Sequence, residues 1–174
     1  MSKRKQRQLP QNINREHLAE IFRERIYGSI TVLAVNVGLL LKVNDGLTVQ
    51  HAFIAIISTI VGLWLAGIFS SVLSYRIVHE KNMPRSQFTH ELTVHQGLLM
   101  AGWSSIIMLT LAALSIISLH TAILTDIILT VTALTFTILR GTKSGTNTFV
   151  TALISIAVQA VIVGAVVLLK LGAK

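Results

Sequence analysis

The stretch His79 to His95, "HEKNMPRSQFTHELTVH", holds three of the chain's six histidines and two of its seven acidic residues. Imidazoles and carboxylates at such density are the side chains that ligate divalent transition metals. "HELTVH" resembles the H-E-x-x-H zinc motif but is one residue too long. Metalloprotease histidines stand at i and i+4 so that both imidazoles share one helix face. His90 and His95 are five apart, roughly 140° around a helix, so the protease reading fails. Glu91 and His95 do share a face. With His79 and Glu80 upstream, and Glu20 and Glu24 nearer the N-terminus, they form a candidate cytoplasmic site for a divalent cation. The plainer alternative is a polar interfacial loop with no ligand.

Three polar residues stand inside apolar runs. Asp126 is an acid within a hydrophobic stretch, and such an acid is a functional candidate by default. Its position suits a second role, as a hydrated cap on the helix that "LTD" begins. Asn36 and Gln159 are amides that hydrocarbon cannot satisfy, so they must bond across helices, with one another or along a polar path. Threonines crowd the same region as Asp126 (Thr125, Thr130, Thr132, Thr135 and Thr137). A threonine in a membrane helix usually bonds back to its own backbone.

These residues need a scaffold, and composition supplies it. The chain has 174 residues, of which 52% are hydrophobic and only 13% charged, with a mean hydropathy of +0.70. Soluble domains average about 25% charged residues. Here long uncharged windows are wide enough to cross a hydrocarbon core of roughly 30 Å. Their apolar residues run on without alternating, which disfavours a β-barrel. The expected fold is therefore all-α, a polytopic bundle of five transmembrane helices preceded by an interfacial amphipathic helix. A basic disordered tail spans residues 1–13, the amphipathic helix residues 14–25, and the membrane domain residues 26–174. The spans fall at about 26–41, 52–74, 98–119, 122–139 and 149–169. Leu9-Pro10 reads as a break, Asn14 as a helix N-cap, and "HTAILTD" as a tight loop between spans 3 and 4.

Helix packing has its own pattern. Gly62, Ala66 and Ser70 recur every fourth residue, a small-residue stripe that lets another helix approach closely. A bundle of this size hardly encloses a pathway, so a homo-oligomer is expected. The net charge of +8 is concentrated before span 1, where Arg15, Arg23 and Arg25 suit anionic lipid headgroups. Lipid is preferred over nucleic acid as the partner of this basic segment. With the N-terminus inside, twelve Lys and Arg face the cytoplasm and only Lys42, Lys170 and Lys174 lie outside. That is the positive-inside bias. It places the chain in a plasma or bacterial inner membrane with a cytoplasmic N-terminus and an external C-terminus. No signal-peptide cleavage site follows the first apolar run.

Cysteine is absent, which removes disulfides, zinc–thiolate sites and cysteine nucleophiles. There is no Walker A loop, no dinucleotide glycine pattern and no G-x-S-x-G elbow. No enzyme is expected, and no cofactor beyond a divalent ion as substrate.

"AGIFSSVLSYRIVHEK" (Ala66 to Lys81) and "ILRGTKSGTNTFVTALISIAVQAVIVGAVVLLKLG" (Ile138 to Gly172), together with five spans and a polar inner segment after span 2, resemble the vacuolar iron transporter family. The resemblance implies dimers that exchange divalent metal for protons through acidic ligands on the inner segment. It puts forward Glu80 and Glu91. The Asp45-Gly46-Leu47 run stands after span 1 here, not within it. Two functions are therefore expected in parallel. One is a divalent-metal transporter or a degenerate relative. The other is a non-transporting membrane subunit that recruits an unidentified protein partner through its basic N-terminus and cytoplasmic loop.

Overall fold

The computed structural model describes residues 9–141 and, beyond them, only positions 150, 153, 154, 156, 157, 160 and 161; side chains are described from His17 to Thr137 and at those isolated positions. Among the described residues the fold is all-helical, with no strand. Five α-helices follow one another: α1 (Leu9–Leu40), α2 (Val49–His79), α3 (Arg85–Ala101), α4 (Trp103–Ala113) and α5 (Leu119–Gly141). A short 3-10 turn, Val43–Asp45, separates α1 from α2. The fifth expected span, residues 149–169 with Gln159, lies outside the described residues apart from those isolated positions.

α1 is continuous across what the sequence divides into an amphipathic helix and a span. Nothing between Arg25 and Ile26 breaks the backbone hydrogen-bond ladder, and the change from polar to apolar faces is a change of surroundings, not of conformation. Leu9-Pro10 lies within the described helix and does not break it. Asn14 therefore stands inside α1 and caps nothing.

Among the described residues two helices are long and apolar enough to cross a membrane, Val49–His79 and the Leu119–Thr137 part of α5. The pair α3 and α4 makes a third if it is one bent span, since the two meet at 40°. Gly102 sits at the bend, and a Cβ there would fall 1.8 Å from Ile60 Cδ1 of α2. α2 thus packs into the notch that the missing side chain leaves. The apolar half of α1, Ile26 to Leu40, measures about 22 Å and forms the centre of the bundle. Val32 and Leu39 are buried there against Ala52, Ile56 and Ile60 of α2, Leu109 of α4 and Ile123 of α5, and Leu33 and Val37 are buried as well.

The seam between α1 and α3 is tight. A Cβ on Gly97 would lie 2.7 Å from the backbone oxygen of Ile21 and 3.1 Å from the backbone nitrogen of Arg25. The two backbones nearly touch, which small residues permit in helix pairs without a water-driven hydrophobic force. By contrast, nothing lies within 4 Å of a Cβ on Gly62, and Gly62, Ala66 and Ser70 are all exposed. Among the described residues the small-residue stripe makes no close helix contact. Gly97 and Gly102 fill that role.

The connection from α4 to α5 also differs from expectation. α4 ends at Ala113 and α5 starts at Leu119, capped by Ser118, whose Oγ accepts the Thr121 N–H at 3.1 Å. "HTAILTD" is helical and Asp126 lies two turns inside α5. The Ser-x-x-Thr cap outcompetes the Asp for the helix start.

Candidate functional site

Two polar constellations stand out, one at the end of the bundle where α1 begins and one in its interior.

The first lies along the α1–α3 seam. His17, Glu20 and Glu24 are spaced three and four apart on α1, so they line one face. α3 brings His90, Glu91 and His95 against them. His90 Nε2 stands 3.4 Å from Glu20 Oε2. The His17 and His90 rings face each other at 4.3 Å, tilted by 34°. One ligand atom each from His17, Glu20 and His90 lie within 4.8 Å of one another. His17 Nδ1 is buried and has no hydrogen-bond partner.

One turn deeper, His95 sits between carboxylates from two helices. Its Nδ1 is 3.5 Å from Glu24 Oε2, and its Nε2 is 3.7 Å from Glu91 Oε2 and 3.1 Å from Ser71 Oγ of α2. Its ring is nearly buried, with only 7% of the side chain exposed. Gly67 of α2 makes the room, since a Cβ there would meet Nδ1 at 2.7 Å. The two carboxylates approach opposite ring nitrogens, so they bracket the imidazole and do not converge on one point. The outer trio converges; the His95 group does not. Exposure falls along the strip from Glu20 at 45% of its side chain to Glu24 at 14%. Glu24 also holds Arg23 at 3.2 Å, an ion pair whose arginine is in solvent.

Of the inner-segment residues, His90, Glu91 and His95 join this strip and His79 and Glu80 do not. His79 stacks on Tyr75 at 4.2 Å, and its Nδ1 lies 3.2 Å from the Tyr75 carbonyl oxygen. It shares a surface groove with Glu91, Ser71 and Gln87. Glu80 closes α2 in the left-handed region, φ 53°, with its backbone N–H donated to Arg76 O. His17 is the residue that the sequence reading left out. Its spacing to Glu20 and Glu24 was the available signal. Arg23 and Arg25 are exposed, and the side chain of Arg15 lies outside the described residues.

The second constellation joins α1, α4 and α5. Asn36, Ser105 and Asp126 are each 1% exposed. Asn36 Nδ2 donates to Asp126 Oδ2 at 2.6 Å and to Ser105 Oγ at 3.2 Å. The Ser105 hydroxyl donates to the same carboxylate oxygen. Asp126 is thus buried and not a cap: it faces inward because α5 starts seven residues before it. Asn36 has its partners here, while Gln159 lies outside the described residues. Thr132, Thr135 and Thr137 bond back to Ile128, Val131 and Ala133 at 2.7, 2.9 and 2.8 Å. Thr130 does not. Its Oγ1 is buried and unpartnered, as is Asp126 Oδ1.

A cleft of about 390 Å³ opens beside this group. Arg25, Ser29, Trp103, Ser104, Thr130 and Thr137 are among its walls.

Among the described residues the chain is all-helical, with two to three helices long and apolar enough to cross a membrane. No family model, curated protein or solved structure matches the chain.

Proposed function

We propose that the chain is a five-span membrane protein, its N-terminus cytoplasmic, that takes a divalent transition-metal ion at its inner face and carries it across the bilayer. The observation that carries the reading is the convergence of His17, Glu20 and His90 from two helices. Two imidazoles and one carboxylate with open positions suit Fe(II) and its neighbours in the first row. Ligand atoms about one such ion stand roughly 3 Å apart, given bonds of about 2.1 Å. The His90–Glu20 pair at 3.4 Å is near that separation, and a His17 ring nitrogen lies within 4.8 Å of both. The half-exposed trio is open to incoming ions, and Glu24, His95 and Glu91 offer the next polar groups one turn deeper. The likeness to the vacuolar iron transporter family supports the same reading. The Gly62–Ala66–Ser70 stripe, exposed among the described residues, supports a homo-oligomer, because small residues let a second copy approach closely.

The test is uptake of iron, manganese, cobalt and zinc into proteoliposomes, with and without a pH gradient. Saturable uptake that falls at least tenfold in His90→Ala and in Glu20→Gln is the expected result. Absence of uptake of every ion by folded protein would overturn transport and favour the partner-recruiting membrane subunit.

A further inference from the structure

We infer that Asp126, Asn36, Ser105 and Thr130 form an intramembrane site for one monovalent cation, sodium or a proton. The inference stands on α1, α4 and α5 alone and does not rest on the metal-transport reading.

Charge comes first. Among the described residues no basic side chain forms an ion pair with Asp126. α1 turns Asn36 toward it and α4 turns Ser105, and both are neutral. α4 has no titratable residue. On α5 the other described titratable side chain, His120, is exposed. The charged residues of α1 all precede Ile26, and Asn36 lies about 16 Å of helix beyond Arg25. Two hydrogen bonds to Oδ2 spread a negative charge but do not cancel it, and an unpaired ion in hydrocarbon is among the costliest states a protein can hold. One positive charge balances one carboxylate. A divalent ion would leave a net charge of the opposite sign in the same apolar surroundings, so the site selects for single charge.

The donor chemistry agrees. Every candidate ligand is a hard oxygen: both carboxylate oxygens, the Ser105 and Thr130 hydroxyls, and Asn36 Oδ1 once its amide turns. Hard oxygen sets suit alkali and alkaline-earth cations or protons, not soft transition metals. Two of these oxygens, Asp126 Oδ1 and Thr130 Oγ1, are buried with no partner among the described residues. Buried polar atoms normally have one. Residues 126 and 130 are i and i+4, so both atoms stand on one face of α5. Thr130 also belongs to the wall of the 390 Å³ cleft, as do Ser29 and Arg25. The Arg25 charge opposes a divalent ion twice as strongly as a monovalent one.

The experiment uses the full chain in nanodiscs. Sodium chloride replaces choline chloride at constant ionic strength, at several pH values, while the thermal midpoint is read. Separately, an infrared difference spectrum is recorded after a pH jump in choline. If sodium is the ion, the midpoint rises with sodium, the half-effect concentration grows as pH falls, Asp126→Asn abolishes the response and Thr130→Val weakens it several-fold. If the proton is the ion, the midpoint ignores sodium, and the pH jump gives a carboxyl band that Asp126→Asn removes. Either pattern supports the site. A sodium response that survives in Asp126→Asn, or wild-type protein with neither response, overturns it and leaves the cluster as hydrogen-bonded packing. Should Asp126→Asn fail to fold, Ser105→Ala and Thr130→Val decide. An unchanged half-effect concentration and an unshifted carboxyl band in both overturn the site, and a shift in either supports it.

Discussion

A residue matters here less by its type than by whether its polar atoms find partners. Thr130 and Thr132 are two apart on α5, yet Thr132 bonds back to Ile128 and faces outward while Thr130 is buried with an unpaired oxygen. Removing the Thr132 hydroxyl should change stability by less than about 0.5 kcal/mol, as at most exposed positions. Asn36→Leu removes a donor from a buried carboxylate, and the cost should be about 1–3 kcal/mol, the price of stranding a buried acceptor. Equilibrium unfolding of the two variants in the same detergent checks the contrast, and equal losses would refute it. The sequence revealed Asn36 and Asp126 as anomalies because each is polar in an apolar run. It did not reveal Ser105, since a serine in a membrane helix usually satisfies itself and carries no such signal. Nor could it pair Asn36 with Asp126, 90 positions apart, because hydrophobic periodicity fixes the face a residue occupies and not the partner across it.

At the scale of elements, the helices follow from apolar run lengths, but their contacts turn on single glycines. Gly97 allows the backbones of α1 and α3 to meet, and that meeting brings His17 and Glu20 to His90. Gly97→Val should push the helices apart, with a destabilisation of about 1–3 kcal/mol typical of overpacking. It should also weaken metal binding at the outer trio, measured by titrating Mn(II) or Co(II) into the purified chain. Gly62→Ala has open space around it and should leave both unchanged. If Gly97→Val bound metal as tightly as the wild type, the seam would not be what positions the ligands. The small-residue stripe on α2 was legible in sequence, but a spacing of four says only that a close approach is possible. Gly102 has no small residue four away and Gly97 only the single Ala101, too short a pattern to stand out, so their role emerges only when the facing helix is placed. The continuity of α1 was hidden for a related reason: a break in polarity at Arg25–Ile26 looks like a boundary, and backbone geometry ignores it.

For the whole molecule the decisive question is which side of a membrane each loop faces. The N-terminal half of α1, the end of α2 and the start of α3 gather at one end of the bundle, as the His90–Glu20 and His95–Glu24 contacts require. Arg23, Arg25, Arg76, Lys81 and Arg85 belong to that end, whereas the turn between α1 and α2 carries Lys42 offset by Asp45. In the proposed topology, positive charge concentrated in this way puts that end in the cytoplasm. The chain has no cysteine, so any introduced thiol is a sole reporter. Asn44→Cys, Asn82→Cys and Ile116→Cys each place one in a connection between helices. In right-side-out vesicles a membrane-impermeant maleimide should label positions 44 and 116 and spare position 82 until the membrane is opened. That pattern requires α1 to cross, despite an apolar half of only about 22 Å. Arg25 and Lys42 at its two ends let it do so by reaching to the headgroups. If α1 instead stayed on the inner surface, every later connection would switch sides. Position 82 would label from outside, and Arg76, Lys81 and Arg85 would face the wrong compartment. The His17–Glu20–His90 trio would then straddle a helix lying inside and a loop lying outside, a geometry that the 3.4 Å contact between His90 and Glu20 forbids.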